Sequence, residues 1–403
     1  MSINTDKVRK DFPILSSDKK IIYFDNACMT LRPKQVIDKI TEYYLEYPSC
    51  GERSQHKLSK RVTAEVEDSR KTAQRFLNAK SEKEIIFSRN TTESINLIAN
   101  SLRFGTDSTV ICSDREHNSN LVPWQILSQK KGVKHIVSKS KQDNTFDLEN
   151  FSEMMDKNVK LVSVVQTSNL DGYTTPIKEI TKIAHDNSAL VLVDGAQSAP
   201  HKDVDVRKLD VDFFACSGHK MLGPTGTGIL YGKSHLLEEL DPFIVGGETV
   251  FETTYDSFSL EKPPARFEAG LQNYAGIIGL GEAMRYLMKI GKENIADHEK
   301  KLNSILSNGL SEHEKVDIVG VKDPELRSGI TSFNIRNRDP HEVAMMLDQS
   351  ANIMMRSGAH CLHSWFNERN LQGSVRASLY FYNTEDEVRF FLEKMQEFIK
   401  NFC

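Results

Sequence analysis

Between residues 84 and 231 the chain repeats one pattern: a short, almost unbroken apolar run, then, in most repeats, a stretch with helical spacing. The runs are 84–88, 109–112, 135–137, 160–165, 189–193, 213–215 and 228–231. A strand with one wet face alternates apolar and polar residues. These runs do not alternate, so both of their faces must be covered. Helical stretches follow at 93–102, after Asn120 and after Pro176. The pattern predicts an α/β fold in which a mainly parallel, seven-stranded sheet lies between layers of helices.

The flanking segments read differently. Residues 1–30 are mixed and end in a strand-like Ile21-Ile22-Tyr23-Phe24-Asp25. Helices are expected over 34–46 and 59–78, the second with Val62, Val66, Ala73 and Leu77 near one face. Residues 242–270 break the pattern with Gly246-Gly247 and Pro263-Pro264, which predicts a hairpin or lobe near 242–265. A long helix is expected from near Gly279. Beyond it come strands near 316–321, 329–335, 352–356 and 374–380, with helices near 340–349 and 384–399. The expected division is an N-terminal segment, 1–30, packing with the small domain, a large domain over 31–282, and a smaller α+β domain over 283–403.

A net charge of −4 argues against nucleic acid as a main partner. No apolar run reaches the length of a membrane span, and the N-terminus lacks the apolar core of a signal peptide, so the expectation is a cytoplasmic protein without a membrane partner. The six cysteines, Cys28, Cys50, Cys112, Cys216, Cys361 and Cys403, form no C-x-x-C pair and are expected as reduced thiols. His360-Cys361-Leu362-His363 offers too few ligands for zinc, and no metal is expected. There is no G-x-G-x-x-G opening the first βα unit and no G-x-x-x-x-G-K-[ST], which leaves nicotinamide and ATP unsupported.

The chemistry-bearing residues fall at the ends of the apolar runs. Asp194 closes one run, and Gln197 follows it. Ser217-Gly218-His219-Lys220 closes another. A lysine amine can condense with the aldehyde of pyridoxal 5′-phosphate (PLP), and a carboxylate can keep the pyridine nitrogen protonated so that the ring acts as an electron sink. Thr91 and Thr92 open a helix after a strand, where a phosphate or a plain N-cap would suit them equally; Ser217 and His219 as further donors favour phosphate. His117 could stack on a planar cofactor or cap a helix. Asn169 and Gln197 could reach a phenolic oxygen. Arg376, and Arg356 near it in the C-terminal unit, suit a substrate carboxylate. Cys361, in a Gly-containing turn beside His360, reads either as a nucleophile among cations or as an inert packing thiol.

Together these residues resemble a known family. Tyr23-Phe24-Asp25-Asn26-Ala27, Gln55-His56-Lys57-Leu58-Ser59, Thr91-Thr92-Glu93-Ser94-Ile95-Asn96, Glu116-His117, Ser168-Asn169, Asp194-Gly195-Ala196-Gln197, Ser217-Gly218-His219-Lys220, Arg266-Phe267-Glu268-Ala269-Gly270 and Arg356-x-Gly358-x-His360-Cys361 are similar to the motifs of class V aminotransferase-fold PLP enzymes. The likeness is strongest to group II cysteine desulfurases, which include selenocysteine lyase-like members. It implies the fold type I of PLP-dependent transferases. It implies Lys220 as the Schiff-base lysine, Asp194 at the pyridinium, and His117 on the ring. Gln197 and Asn169 would lie at the phenolic oxygen, and Thr91, Thr92, Ser217 and His219 at the phosphate. Arg376 would clamp the substrate carboxylate and Arg356 would support the Cys361 loop, with Asn26 and His56 also on the substrate side. The implied reaction converts L-cysteine to L-alanine. Its sulfur stays as a persulfide on Cys361, for an acceptor protein serving iron–sulfur cluster or thiocofactor assembly. A homodimer is implied too. A selenocysteine lyase acting on L-selenocysteine is the alternative, as is a C–S lyase, epimerase or aminotransferase that does not use Cys361. Four places depart from the family pattern: Cys28-Met29, Ser49 to Arg53, Tyr274 where a threonine often reaches the partner subunit's phosphate, and Leu362-His363-Ser364 after Cys361.

Overall fold

The computed structural model describes residues 3–16 and 20–402; Cys403 lies outside them. Strand β1 (Ile22–Tyr23) precedes the large sheet, whose strands are β2 (Ile85–Ser88), β3 (Thr109–Ser113), β4 (Lys134–Ser138), β5 (Val159–Val165), β6 (Leu190–Asp194), β7 (Phe213–Ser217) and β8 (Gly228–Gly232). Their spatial order is β2-β8-β7-β6-β5-β3-β4. The run from β7 to β4 is parallel, and β8 pairs antiparallel with both β7 and β2. This is the seven-stranded, mainly parallel sheet expected from the apolar runs.

Successive residues show why those runs do not alternate. Val191, Val193, Phe214 and Cys216 belong to one buried cluster, with Val62, Phe76, Ile277 and Leu280 of the helices on that face. Leu192, Phe213 and Ala215 belong to another, with Ile95, Ile98 and Trp124 of the opposite face. Each face therefore has its own core, and burial of both is the largest stabilising contribution to the fold.

The helix expected from 59 begins at Lys57 and ends at Leu77; His56 caps it, its side chain accepting from Ser59 N. The helix expected near Gly279 runs from Tyr274 to Ile290, capped by Asn273. Gly279 and Gly281 do not start it. A Cβ at Gly279 would lie 2.6 Å from Ile40 Cγ1, and one at Gly281 would lie 2.4 Å from Ser69 Oγ. These glycines let the helix press against Lys34–Glu46 and Lys57–Leu77. The excursion near 242–265 contains a hairpin, β9 (Val250–Thr253) with β10 (Phe258–Leu260).

A second, four-stranded sheet follows, with β11 (Val316–Val319) and β12 (Ile330–Ile335). The single strand expected over 352–356 is two: β13 (Ile353–Met354) pairs in parallel with β1, while β14 (Arg356–Gly358) pairs antiparallel with β15 (Ser374–Ser378). The sheet order is β11-β12-β15-β14, covered by helices Pro340–Ala351 and Glu385–Phe402. Phe24, just after β1, enters this core beside Phe391, whereas Phe12 packs against Tyr286, Phe381 and Tyr382. No helix among the described residues is long and apolar enough to cross a membrane.

Candidate active site

The parallel strands end together, and the loops beyond their carboxyl ends form a cavity of about 270 Å³ closed by the C-terminal unit. Strand β6 delivers Asp194, β7 delivers Ser217 and the turn to Lys220, and β5 leads to Thr167 and Asn169. The turn after β3 brings His117, and the helix Thr91–Ser101 points its N-terminus inward. Arg356, Cys361 and Arg376 come from the second unit. A larger groove, about 850 Å³, lies between residues 140–144 and the β11–β12 side of that unit. Its walls are turns and surface ion pairs such as Asp317–Arg336 at 3.0 Å, and it contains none of these groups.

Asp194 is 3% exposed, and its Oδ1 accepts from Ala196 N at 2.9 Å. Burial raises its pKa, only partly offset by that bond and by Lys220. Burial lowers Lys220 in turn, against the pull of Asp194. Each charge is thus poorly solvated, and each would gain from a counter-charge placed in the cavity. Thr91 Oγ1 and Ser217 Oγ lie 2.7 Å apart, and Thr91 N donates to the same Ser217 oxygen at 2.8 Å. Thr92 Oγ1 meets Ser119 Oγ at 2.7 Å. His117 is the N-cap of helix Asn118–Lys131, its Nδ1 accepting from Ser119 N at 3.1 Å. Capping and a place on the cavity wall are therefore compatible. Below it Glu116 is a buried acid pushed up to about 8, chiefly by burial, which ties Asn120 Nδ2 (2.6 Å) and Val165 N (3.0 Å) together.

Arg376 is 2% exposed; Nη1 donates to Asn169 O at 3.0 Å and Nη2 to Asp25 Oδ1 at 3.3 Å, while Nε has no protein partner. Asp25 falls in the Tyr23–Ala27 motif, but as a strand end it carries no sign in the sequence of this contact with Arg376. Asn169 Nδ2 donates to His360 O at 2.8 Å, fastening the Cys361 loop to the end of β5. Gln197 Nε2 donates to Ala27 O at 2.6 Å, leaving Oε1 unpartnered. Arg356 Nη1 donates to Cys28 Sγ at 2.8 Å.

Two expected substrate residues lie elsewhere. Asn26 is fully buried and its amide is saturated. Its nitrogen donates to Tyr23 O (3.2 Å), Ser378 O (2.7 Å) and Asn383 Oδ1 (3.2 Å), and its oxygen accepts from Tyr382. It staples the N-terminal segment to the C-terminal unit. His56 is exposed at a helix cap and does not line the cavity of its own chain. Tyr274 packs against Gly51, outside the cavity. Ser119, in the first turn of helix Asn118–Lys131, and Thr167, just after β5, also line the cavity.

The sequence profile of the aminotransferase class-V family matches residues 22–391. The chain belongs to that family. A protein of Shigella sonnei named cysteine desulfurase is 40% identical over 397 residues, covering 96% of each chain. The apo structure of a cysteine desulfurase from Thermococcus onnurineus NA1 superposes with a TM-score of 0.94 at 39% identity, covering 99% of both chains. That of an Escherichia coli cysteine desulfurase in its S-sulfonic acid form superposes with a TM-score of 0.90 at 30% identity, also covering 99% of both chains.

Class V enzymes use PLP, and the residues here suit it. An amine and a buried carboxylate share the cavity with a hydroxyl-rich helix N-terminus. Buried Thr167 Oγ1, Gln197 Oε1 and Arg376 Nε, all on its wall, have no protein partner.

The imidazoles of this class V site give a pH expectation. Burial, reinforced by Lys220, lowers His117 to about 3. Burial likewise lowers His219 to about 4 and His360 to about 2. Each takes up a proton near pH 6.5 when unfolded but not when folded, so its contribution is complete above 6.5 and shrinks as pH falls. Glu116 works oppositely: its contribution is complete below about 4.5 and lost as pH rises through 8. Between about pH 4.5 and 6.5 these three imidazoles outweigh Glu116 by about two protons. The melting temperature of the cofactor-free protein should therefore fall from pH 7 to pH 5, less steeply in His219→Asn; a flat profile would contradict this.

Proposed function

We propose that this protein is a PLP-dependent cysteine desulfurase, which converts L-cysteine to L-alanine and keeps the sulfur as a persulfide on Cys361. One observation carries the reading: an amine (Lys220), a buried carboxylate (Asp194), an incompletely paired arginine (Arg376) and a thiol (Cys361) share one cavity. Near-full-length likeness to proteins named cysteine desulfurase supports it.

PLP, when bound, supplies a protonated heterocycle that stabilises negative charge at the substrate α-carbon. Lys220 would hold its aldehyde and move the α-proton, a task for which a buried amine of lowered pKa is suited. Asp194 would stand at the ring nitrogen, His117 at the ring face, and Gln197 and Asn169 at the phenolic oxygen. Thr91, Thr92, Ser217 and His219 would surround the phosphate. Arg376 would orient the substrate carboxylate. The Cys361 sulfur then attacks the substrate sulfur, so that an S–S bond forms as the C–S bond breaks. Arg356 would support the Cys361 loop.

The reading includes a homodimer and a sulfur-accepting protein. Phe251, Tyr255 and Phe258, exposed on the β9–β10 hairpin, offer apolar surface for such contacts. It also takes 31–282 as the large domain and 283–403 as the small one.

PLP-loaded protein given L-cysteine should release alanine and gain protein-bound sulfane sulfur in equal amount. Borohydride reduction and peptide mapping should place the cofactor on Lys220. Pyruvate and ammonia in place of alanine would overturn the reading. Arg376→Lys should raise the KM for L-cysteine by about 10- to 100-fold, with a smaller change in kcat, because a point charge replaces a planar fork. Steady-state kinetics would check this, and an unchanged KM would remove Arg376 from the carboxylate.

A further inference from the structure

Position 28 departs from the family pattern, and the structure puts its thiol inside the site. The turn that carries it is fastened on both sides. Ala27 N donates to Ser378 Oγ at 2.9 Å, Ala27 O accepts from Gln197, and Thr30 N donates to His219 O at 3.1 Å. Cys28 therefore has little freedom to leave the cavity wall, which it shares with Cys361, Lys220 and Arg376. Cys112 and Cys216, by contrast, are fully buried in strands and burial raises the pKa of both, Cys216 to about 12. Cys28 and Cys361 are only half-buried.

Two further observations separate Cys28 from a packing residue. Its sulfur receives the Arg356 guanidinium at 2.8 Å, a donor that stabilises negative charge developing on a partner atom. The cavity wall that it shares also holds polar atoms that are buried and unpartnered: Arg376 Nε and His360 Nδ1, on side chains 2% and 4% exposed. The cavity is thus built to receive polar groups.

We propose that Cys28 is a second sulfur-accepting thiol, taking the sulfane sulfur from the Cys361 persulfide. This rests on the proposed function, in which Cys361 is loaded first. The transfer is a thiol–disulfide exchange. The Cys28 sulfur attacks the terminal sulfur of the persulfide, and a new S–S bond forms at Cys28. The old S–S bond breaks with its electron pair on the Cys361 sulfur, and the proton from Cys28 is passed to that sulfur. One persulfide and one thiol become one thiol and one persulfide, so no oxidant or reductant is consumed. The transfer frees Cys361 for a second turnover before any acceptor protein arrives.

The test uses PLP-loaded protein and 34S-labelled L-cysteine in modest excess, without an acceptor. The reaction is quenched by alkylation, and alanine and labelled peptides are measured. Wild type should carry label on both Cys361 and Cys28 and release about twice the burst of alanine seen in Cys28→Ala. Cys28→Ser, which retains a hydrogen-bond acceptor for Arg356 but cannot hold sulfane sulfur, should behave as Cys28→Ala does. In Cys361→Ala, Cys28 should remain unlabelled. Dibromobimane, which fluoresces when both its arms are alkylated, should link positions 28 and 361 in wild type and in neither alanine variant, independently of turnover. Label on Cys361 alone, with equal bursts in wild type and Cys28→Ala, would overturn the second acceptor and leave the proposed function standing. Label on Cys28 in Cys361→Ala would overturn the order of transfer. Absence of label from Cys361 in wild type would remove the proposed function and this inference with it.

Discussion

Lys220→Ala is expected to lose L-cysteine turnover by about 10⁴-fold or more, measured as alanine release, while the chain still folds. The turn that carries Lys220 does not depend on its side chain. Gly218 N donates to Thr227 O, and both Met221 N and Gly223 N donate to Gly218 O, each at 2.8 Å. A Cβ at Gly218 would lie 2.1 Å from Thr227 Oγ1, so the backbone itself is wedged in place. Burial already disfavours the charge on Lys220, and removing the amine relieves that cost. Asp194, left behind, is raised by its own burial and can shed its charge by taking a proton. The melting temperature of the cofactor-free variant should accordingly change little. Lys220→Arg separates charge from basicity: a guanidinium stays protonated and cannot remove a proton, so it should be equally inactive. Retained turnover in Lys220→Arg would eliminate the lysine as the base.

The sheet was legible because burial on both faces leaves a mark on every residue of a strand, as in Leu190–Asp194. Strand partners leave none. The stretch 352–356 reads as one strand, yet β13 pairs with β1 at the other end of the chain and β14 pairs with β15. The residues of the site were legible as types at strand ends, but not the direction of their side chains. Asn26 belongs to a motif that borders the cavity, where Ala27 and Cys28 line the wall, yet its amide points into a buried network with Ser378 and Asn383. His117 reads as stacking or capping in the sequence, and the structure shows it capping helix Asn118–Lys131 from the cavity wall. In the sequence Gly279 stands near an expected helix start. Here it marks close approach to Ile40, a contact between helices far apart in sequence.

The loop that presents Cys361 has a conformational cost, and this makes the second large effect separable from folding. Gly358 has φ 106°, His360 φ 49° and Cys361 φ 61°. Two of these are residues with a Cβ, each held in the left-handed region at a cost of about 1 kcal/mol. The surroundings enforce it. Asn118 N donates to Cys361 O at 2.8 Å, Asn169 Nδ2 to His360 O at 2.8 Å, and His360 Nε2 pairs with Ser374 Oγ at 2.9 Å. These anchors use main-chain atoms and the His360 ring, and none uses the Cys361 sulfur. Cys361→Ala should therefore keep the loop and the cofactor absorption while alanine release falls by at least about 10³-fold. Cys361→Gly should be equally inactive but more stable than Cys361→Ala by about 1 kcal/mol in denaturant titrations, because glycine adopts the same backbone without the Cβ penalty. Were the two variants equally stable, the loop would not be under backbone strain. Were Cys361→Ala to turn over cysteine at the wild-type rate, the sulfur at this position would have no part in the reaction. The pair of variants thus separates the cost of presenting the thiol from the use made of it: the anchors hold position 361 in a left-handed turn on the cavity wall, and the proposed chemistry requires sulfur there.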